Sequence, residues 1–139
     1  MNSYLLDTNV VSELSKQRPH PDVMNFLLSP NNMWLSSIVV YELELGIQLL
    51  PEGQRQDRLR IWLTRIVEDF RGRILPIRRP EAEAAASFQA HVQRGGRRME
   101  LADALIAGTA EVRGLTLATR NIRDFRGLDI DIVNPWEVP

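Results

Sequence analysis

Apolar and polar positions fall along the chain in two kinds of block. Tyr4-Leu5-Leu6 is a short apolar run broken at once by Asp7, Thr8 and Asn9, and it reads as a buried strand entering a turn. A helical pattern follows immediately at Val10, Val11 and Leu14. Pro19 and Pro21 punctuate, residues 22–28 read as a short amphipathic helix, and Ser29-Pro30 ends it. Residues 33–36 are the next strand, Ser37 can cap a helix over 38–50, and Pro51 closes that helix. Apolar residues at 59, 62, 63, 66, 67 and 70 form a one-faced stripe on a further helix, which Gly72 stops. Residues 74–77 predict a strand that Pro76 keeps short or near an edge. Pro80 opens an alanine-rich helix to about Val92, Gly95-Gly96 is a break, and a helix over 99–113 ends at Gly114. Residues 115–118 are a strand, 119–121 a polar turn, Asp124-Phe125 part of a short helix or loop, and 130–133 a last strand.

Strand alternating with helix predicts an α/β protein with a central, mostly parallel sheet of about four to five strands and helices on both faces, since parallel neighbours need crossover connections. A length of 139 residues predicts a single domain over 1–139, large enough to bury a core without staples.

Composition changes this picture little. Hydrophobic residues at 44% and charged residues at 25% exclude disordered and fibrous classes. The absence of cysteine removes thiolate metal sites, and with only His20 and His91 no histidine-rich zinc site is expected. No apolar run reaches the roughly 18 residues of a membrane span, and the N-terminus lacks a signal-peptide layout, so the expected location is the cytoplasm. A net charge of -1 demands no nucleic-acid partner, but its distribution is uneven. Only Lys16 of the 17 basic residues is lysine, and arginines cluster at 94–98 and 120–126. Arginine presents a planar fork that suits phosphate; solvated surface charge is the plain alternative for any one of them.

Three carboxylates stand where none is expected. Asp7 directly follows the first strand, on the rim where open α/β sheets bind ligands, although Asp7 or Thr8 could equally cap the next helix. Asp103 interrupts residues 101–110, a stretch otherwise apolar or small on every side, and a buried unpaired carboxylate costs several kcal/mol. Glu42 lies on a stripe with Ile38, Leu45 and Leu49. Glu42 and Asp103 are both expected in first helical turns on the rim that carries Asp7, where the helix end favours anions. Three converging acids call for a hard divalent cation. Thr119, Asn121 and Asp124 follow the strand 115–118 and can reach the same rim.

Residues 5–13 (Leu-Leu-Asp-Thr-Asn-Val-Val-Ser-Glu), 40–46 (Val-Tyr-Glu-Leu-Glu-Leu-Gly), 102–107 (Ala-Asp-Ala-Leu-Ile-Ala) and 118–121 with Asp124-Phe125 resemble the four motifs of PIN-domain ribonucleases, in order and over nearly the whole chain. The likeness is nearest to the toxins of VapBC and FitAB pairs, and Asn134-Pro135-Trp136 resembles the ending of the FitB-like branch. The resemblance implies a three-layer α/β/α PIN-like domain with Asp7, Glu42 and Asp103 as catalytic metal-binding acids and Asn9 and Thr119 in support. Where many relatives carry a fourth acid this chain has Asn121, so the fourth ligand is either Asp124 or a water held by Asn121. Near 74–77, where many relatives carry an acid, it has Arg78-Arg79. The implied function is a type II toxin acting as a Mg²⁺- or Mn²⁺-dependent endoribonuclease, with Arg97, Arg98, Arg120 and Arg123 on substrate phosphate. The implied partners are RNA, a second copy of the chain, and a cognate antitoxin that blocks the site and carries the complex to operator DNA. A housekeeping RNA-processing nuclease and a non-catalytic RNA or protein interaction module are the alternatives. A haloacid-dehalogenase-like phosphatase would need a second aspartate where this chain has Asn9.

Overall fold

A computed structural model describes residues 1–137. The strands Ser3–Leu6 (β1), Asn32–Ser36 (β2), Ile74–Leu75 (β3), Thr116–Ala118 (β4) and Ile132–Val133 (β5) form one all-parallel sheet in the order β3-β2-β1-β4-β5. Helices Thr8–Glu13 (α1), Pro21–Leu28 (α2), Ser37–Gln48 (α3), Gln54–Asp69 (α4), Arg79–Arg94 (α5) and Leu101–Arg113 (α6) make the crossovers, giving a three-layer α/β/α arrangement, and Ile122–Phe125 is a single 3₁₀ turn. The central strand pairs Leu5 with Trp34 on one side and Leu117 on the other, and Leu5, Leu6, Leu35 and Leu117 are wholly buried. Burial of each stabilises the fold by about 1.5–3 kcal/mol.

The strand order decides where the site lies. From β1 the chain winds outward through β2 and β3, then returns to the other side of β1 to lay down β4 and β5. That reversal opens a crevice beyond the carboxyl ends of β1 and β4. Asp7 is the first residue after β1, and Thr119 the first after β4.

Several boundaries differ from expectation for physical reasons. β3 stops after two residues because Pro76 has no N–H to donate, and it is an edge strand as Pro76 implied. Ser36, not Ser37, caps α3, its hydroxyl accepting from the Ile38 N–H at 3.2 Å. The buried face of α3 is Val39, Leu43 and Ile47. The anticipated stripe is not the buried face, for Leu45 and Leu49 are 43% and 76% exposed.

Helices α5 and α6 pack closely because Gly108 has no side chain. A Cβ there would stand 2.6 Å from the Glu81 carbonyl oxygen and 2.7 Å from the Ala85 nitrogen, both backbone atoms. Gly108→Ala is therefore expected to separate the helices and destabilise the protein by about 1–3 kcal/mol, read as a lowered denaturation midpoint. At the start of α5, Glu81 is fully buried, with Oε1 3.3 Å from both Arg78 Nη2 and Arg113 Nε.

Candidate active site

Asp7 leaves β1 with its backbone N–H still on the ladder, donating to the Ala118 carbonyl at 2.9 Å. Its side chain both caps α1 and enters the crevice, so the two readings of this residue coexist. Oδ1 accepts from the Thr8 N–H at 2.8 Å, and Oδ2 accepts from the Thr119 hydroxyl at 2.7 Å, with Asn9 Nδ2 at 3.4 Å. Asn9 spans the crevice, for its Oδ1 accepts from the Arg120 N–H at 3.2 Å. Thr119 Oγ1 in turn accepts from the Asn121 N–H at 3.1 Å. The ends of β1 and β4 are thus stitched together by the polar residues that support Asp7.

Glu42 arrives from α3, where it is the sixth residue and so stands in the second turn. The expected support from a helix N-terminus is missing, because that effect falls off within the first turn. The Thr8 hydroxyl replaces it, donating to Glu42 Oε1 at 2.6 Å. Thr8 had been read only as an alternative helix cap; its position beside Asp7 was the available signal for a role in the site. Asp103 does lie in the first turn of α6, as anticipated.

The acids are within range of one another's charge. Burial pushes the Asp7 carboxyl above its ordinary value against the pull of hydrogen bonds from Thr119 and Thr8, and the charges of Glu42 and Asp124 push the same way as burial. Asp103 is pushed up to about 7, first by burial and then by the charges of Asp7, Asp124, Glu42 and Glu100. Glu100, the residue before α6, was not anticipated near the site. The rim offers carboxylate, hydroxyl and amide oxygens, a set that suits a hard divalent cation. Among the described residues no three acidic or histidine side chains lie close enough together to hold an ion. Both Asp7 oxygens are engaged in hydrogen bonds, and Glu42 is tied to Thr8.

The arginines divide. Arg97 Nη2 donates to the Arg126 carbonyl at 2.6 Å, which commits it to the loop after the 3₁₀ turn. Arg98 is exposed and only 3.8 Å from Glu100. Arg120 stacks on the Trp136 ring at 5.0 Å. Arg123 and Arg126 line an open cavity of about 510 Å³ together with Arg120, Asn121, Asp124 and Asn134. Asn121 and Asp124 are both exposed beside the acids.

The family model for the PIN domain matches residues 4–130. The chain belongs to the PIN-domain family. It is 38% identical over 135 residues to the toxin FitB of Neisseria gonorrhoeae, covering 95% of this chain and 97% of that one. It is 34% identical over 139 residues to the VapC ribonuclease Y4jK of Sinorhizobium fredii, covering 96% and 97%. The solved structure of FitAB bound to an IR36 DNA fragment contains a chain that superposes with a TM-score of 0.88 at 35% identity, over 98% of this chain and 97% of that one. No helix of the described residues is long and apolar enough to cross a membrane.

Proposed function

We propose that this chain is the toxin of a type II toxin–antitoxin pair and acts as a divalent-metal-dependent endoribonuclease in the cytoplasm. The observation that carries the reading is the hydrogen-bonded rim beyond β1 and β4, where Thr119 and Thr8 fix Asp7 and Glu42, and where Asp7 and Asp103 lie close enough to the other acids to be pushed upward. The names of its relatives, a toxin and a ribonuclease, point the same way.

Asp7 and Asp103 would hold a Mg²⁺ or Mn²⁺ ion, with Glu42 and Asp124 beside them. When bound, such an ion lowers the pKa of a coordinated water, orients it and offsets charge developing on the phosphate. The protein's own groups do the rest. Thr119 and the Thr8 N–H fix the Asp7 carboxylate, and the Thr8 hydroxyl fixes Glu42. Arg123 and Arg126 face the open cavity beside Asp124 and supply positive charge where four acids would otherwise repel an RNA strand. No histidine or lysine base is required.

The test is cleavage of cellular RNA by the purified protein with Mg²⁺ and with EDTA; cleavage that persists undiminished in EDTA overturns the metal reading. The fourth position is tested separately. Asp124 raises both Asp7 and Asp103, whereas Asn121 contributes only its backbone N–H to Thr119. Asp124→Ala is therefore expected to weaken cleavage and move its Mg²⁺ dependence to higher concentration, with a smaller effect from Asn121→Ala. A silent Asp124→Ala beside an inactive Asn121→Ala would reverse that assignment.

The partners follow from the same reading. A small antitoxin would cover the site and bring the complex to operator DNA, as the FitAB assembly is bound to DNA. A homodimer is supported by Tyr41 and Leu45 on α3 and Leu49 at its C-terminal cap, exposed apolar residues spaced four apart. A short neighbouring reading frame for a DNA-binding protein is the quickest check on the pair.

A further inference from the structure

Where α1 runs out into the loop before α2, Ser15 and Lys16 face the first turns of α4, and Arg55, Arg58, Leu59 and Trp62 complete a cavity of about 250 Å³. Lys16 is already held by Glu13 at 2.7 Å. Arg55 and Arg58 are exposed and take part in no ion pair among the described residues. Gly53 precedes helix α4 and gives it no side-chain cap, leaving N–H groups free at a start where Asp57 is the acid in the first turn. Trp62 is half-buried, packed against the core on one side and lining the cavity beside these cations on the other. Two free guanidinium groups beside an indole form the combination that holds single-stranded nucleic acid: cations for the backbone and an aromatic face for a base.

Position favours RNA over an acidic peptide. Thr8, which orients Glu42, opens α1, and Ser15 lies two residues beyond its end. Helical rise places the cavity on the order of 10 Å along α1 from the acid rim. A strand with one phosphate at the acids covers that distance within a few nucleotides, at ~3.4 Å each when stacked and more when extended.

We propose that this cavity is a second RNA subsite, taking an unpaired nucleotide a few positions from the scissile phosphate, with Arg55 and Arg58 on its phosphate and Trp62 against its base. The proposal rests on the nuclease reading above. Its test compares wild type, the double variant Arg55→Ala/Arg58→Ala, Trp62→Leu and Trp62→Phe on a long single-stranded RNA and on an oligonucleotide that ends before the cavity.

With the long RNA, the double variant and Trp62→Leu are expected to raise KM about tenfold at unchanged kcat. The double variant should also reduce the salt dependence of binding by about one to two phosphate contacts. Trp62→Phe should restore most of the KM, and the short substrate should be cut equally by all four proteins. Equal KM values on the long RNA overturn the subsite while wild-type cleavage in the same assay leaves the nuclease reading standing. Absence of wild-type cleavage on every RNA in Mg²⁺ overturns that reading instead. Unchanged RNA kinetics with lost binding of a glutamate-rich peptide would assign the cavity to a protein partner and overturn the subsite. The exposed arginine variants keep the test readable even where Trp62→Leu perturbs packing.

Discussion

Asp7→Asn is expected to abolish growth inhibition and to lower RNA cleavage by about 10²–10³-fold or more, the range that follows removal of one electrostatic stabiliser. The substitution isolates charge from structure. An asparagine at position 7 keeps one oxygen to accept from the Thr8 N–H, now at 2.8 Å from Oδ1. Its amide N–H can donate to the Thr119 hydroxyl, which now donates to Oδ2 at 2.7 Å and needs only to rotate its hydrogen. The backbone link to Ala118 is untouched. The fold should therefore survive, and thermal melting within a few degrees of wild type would confirm it. Thr119→Val, which removes the hydroxyl but leaves the carboxylate, should lose less, about 10–100-fold, as expected for a group that orients a ligand. Near wild-type cleavage by a folded Asp7→Asn protein would end the assignment of Asp7 to the reaction.

How far the site could be read in advance depended on the range of each interaction. The parallel sheet was legible because strand and helix signals are local, and Pro76 announced an edge strand that proved to be one. Asp103 was legible because its neighbours in α6 are buried, Ala104 and residues 106–110 among them, so a carboxylate there needed a reason. Glu42 was found by a faulty route. The stripe that singled it out lies partly exposed, and α3 buries Val39, Leu43 and Ile47 instead. An apolar-rich helix has more than one possible stripe, and only tertiary packing selects among them.

What remained hidden were partnerships across long stretches of chain. Thr8 meets Glu42 from 34 positions away, and Arg97 meets the Arg126 carbonyl from 29. Arg97 lies in a basic tract that reads as a phosphate surface, yet its guanidinium holds a loop. Glu81, among arginines at a helix start, has the local pattern of a solvated acid, and only the packing of α5 on α6 buries it. The shift from surface charge to buried ion pair leaves no periodic mark.

Asp103→Asn is expected to inactivate the enzyme while stabilising the metal-free protein, and to do the second increasingly as pH rises from about 4 and fully above about 7. The folded carboxyl titrates at about 7 against an ordinary value of 3.8. Between those values the folded state binds a proton that the unfolded state has released, so stability falls as pH rises through the window. Below about pH 4 the group is protonated in both states and asparagine gains little over it; at pH 5 the penalty is already partly expressed. At pH 8 it is charged beside Asp7, Asp124, Glu42 and Glu100, and asparagine relieves both that repulsion and the cost of burial. Fully expressed, a shift of this size corresponds to about 4 kcal/mol. Asp103 is only partly buried, and solvent screening reduces the figure to about 1–2 kcal/mol. For a chain of this length that is a rise in melting temperature of roughly 3–8 °C. Divalent ion should do for wild type at pH 8 what the substitution does, since it binds the charged carboxylate of the folded state. Wild type should therefore gain thermal stability from Mg²⁺ at pH 8, gain much less at pH 5, and Asp103→Asn should gain little at either. Equal Mg²⁺ increments at both pH values, or no stabilisation by Asp103→Asn at pH 8, would show that the Asp103 charge is not what strains the rim.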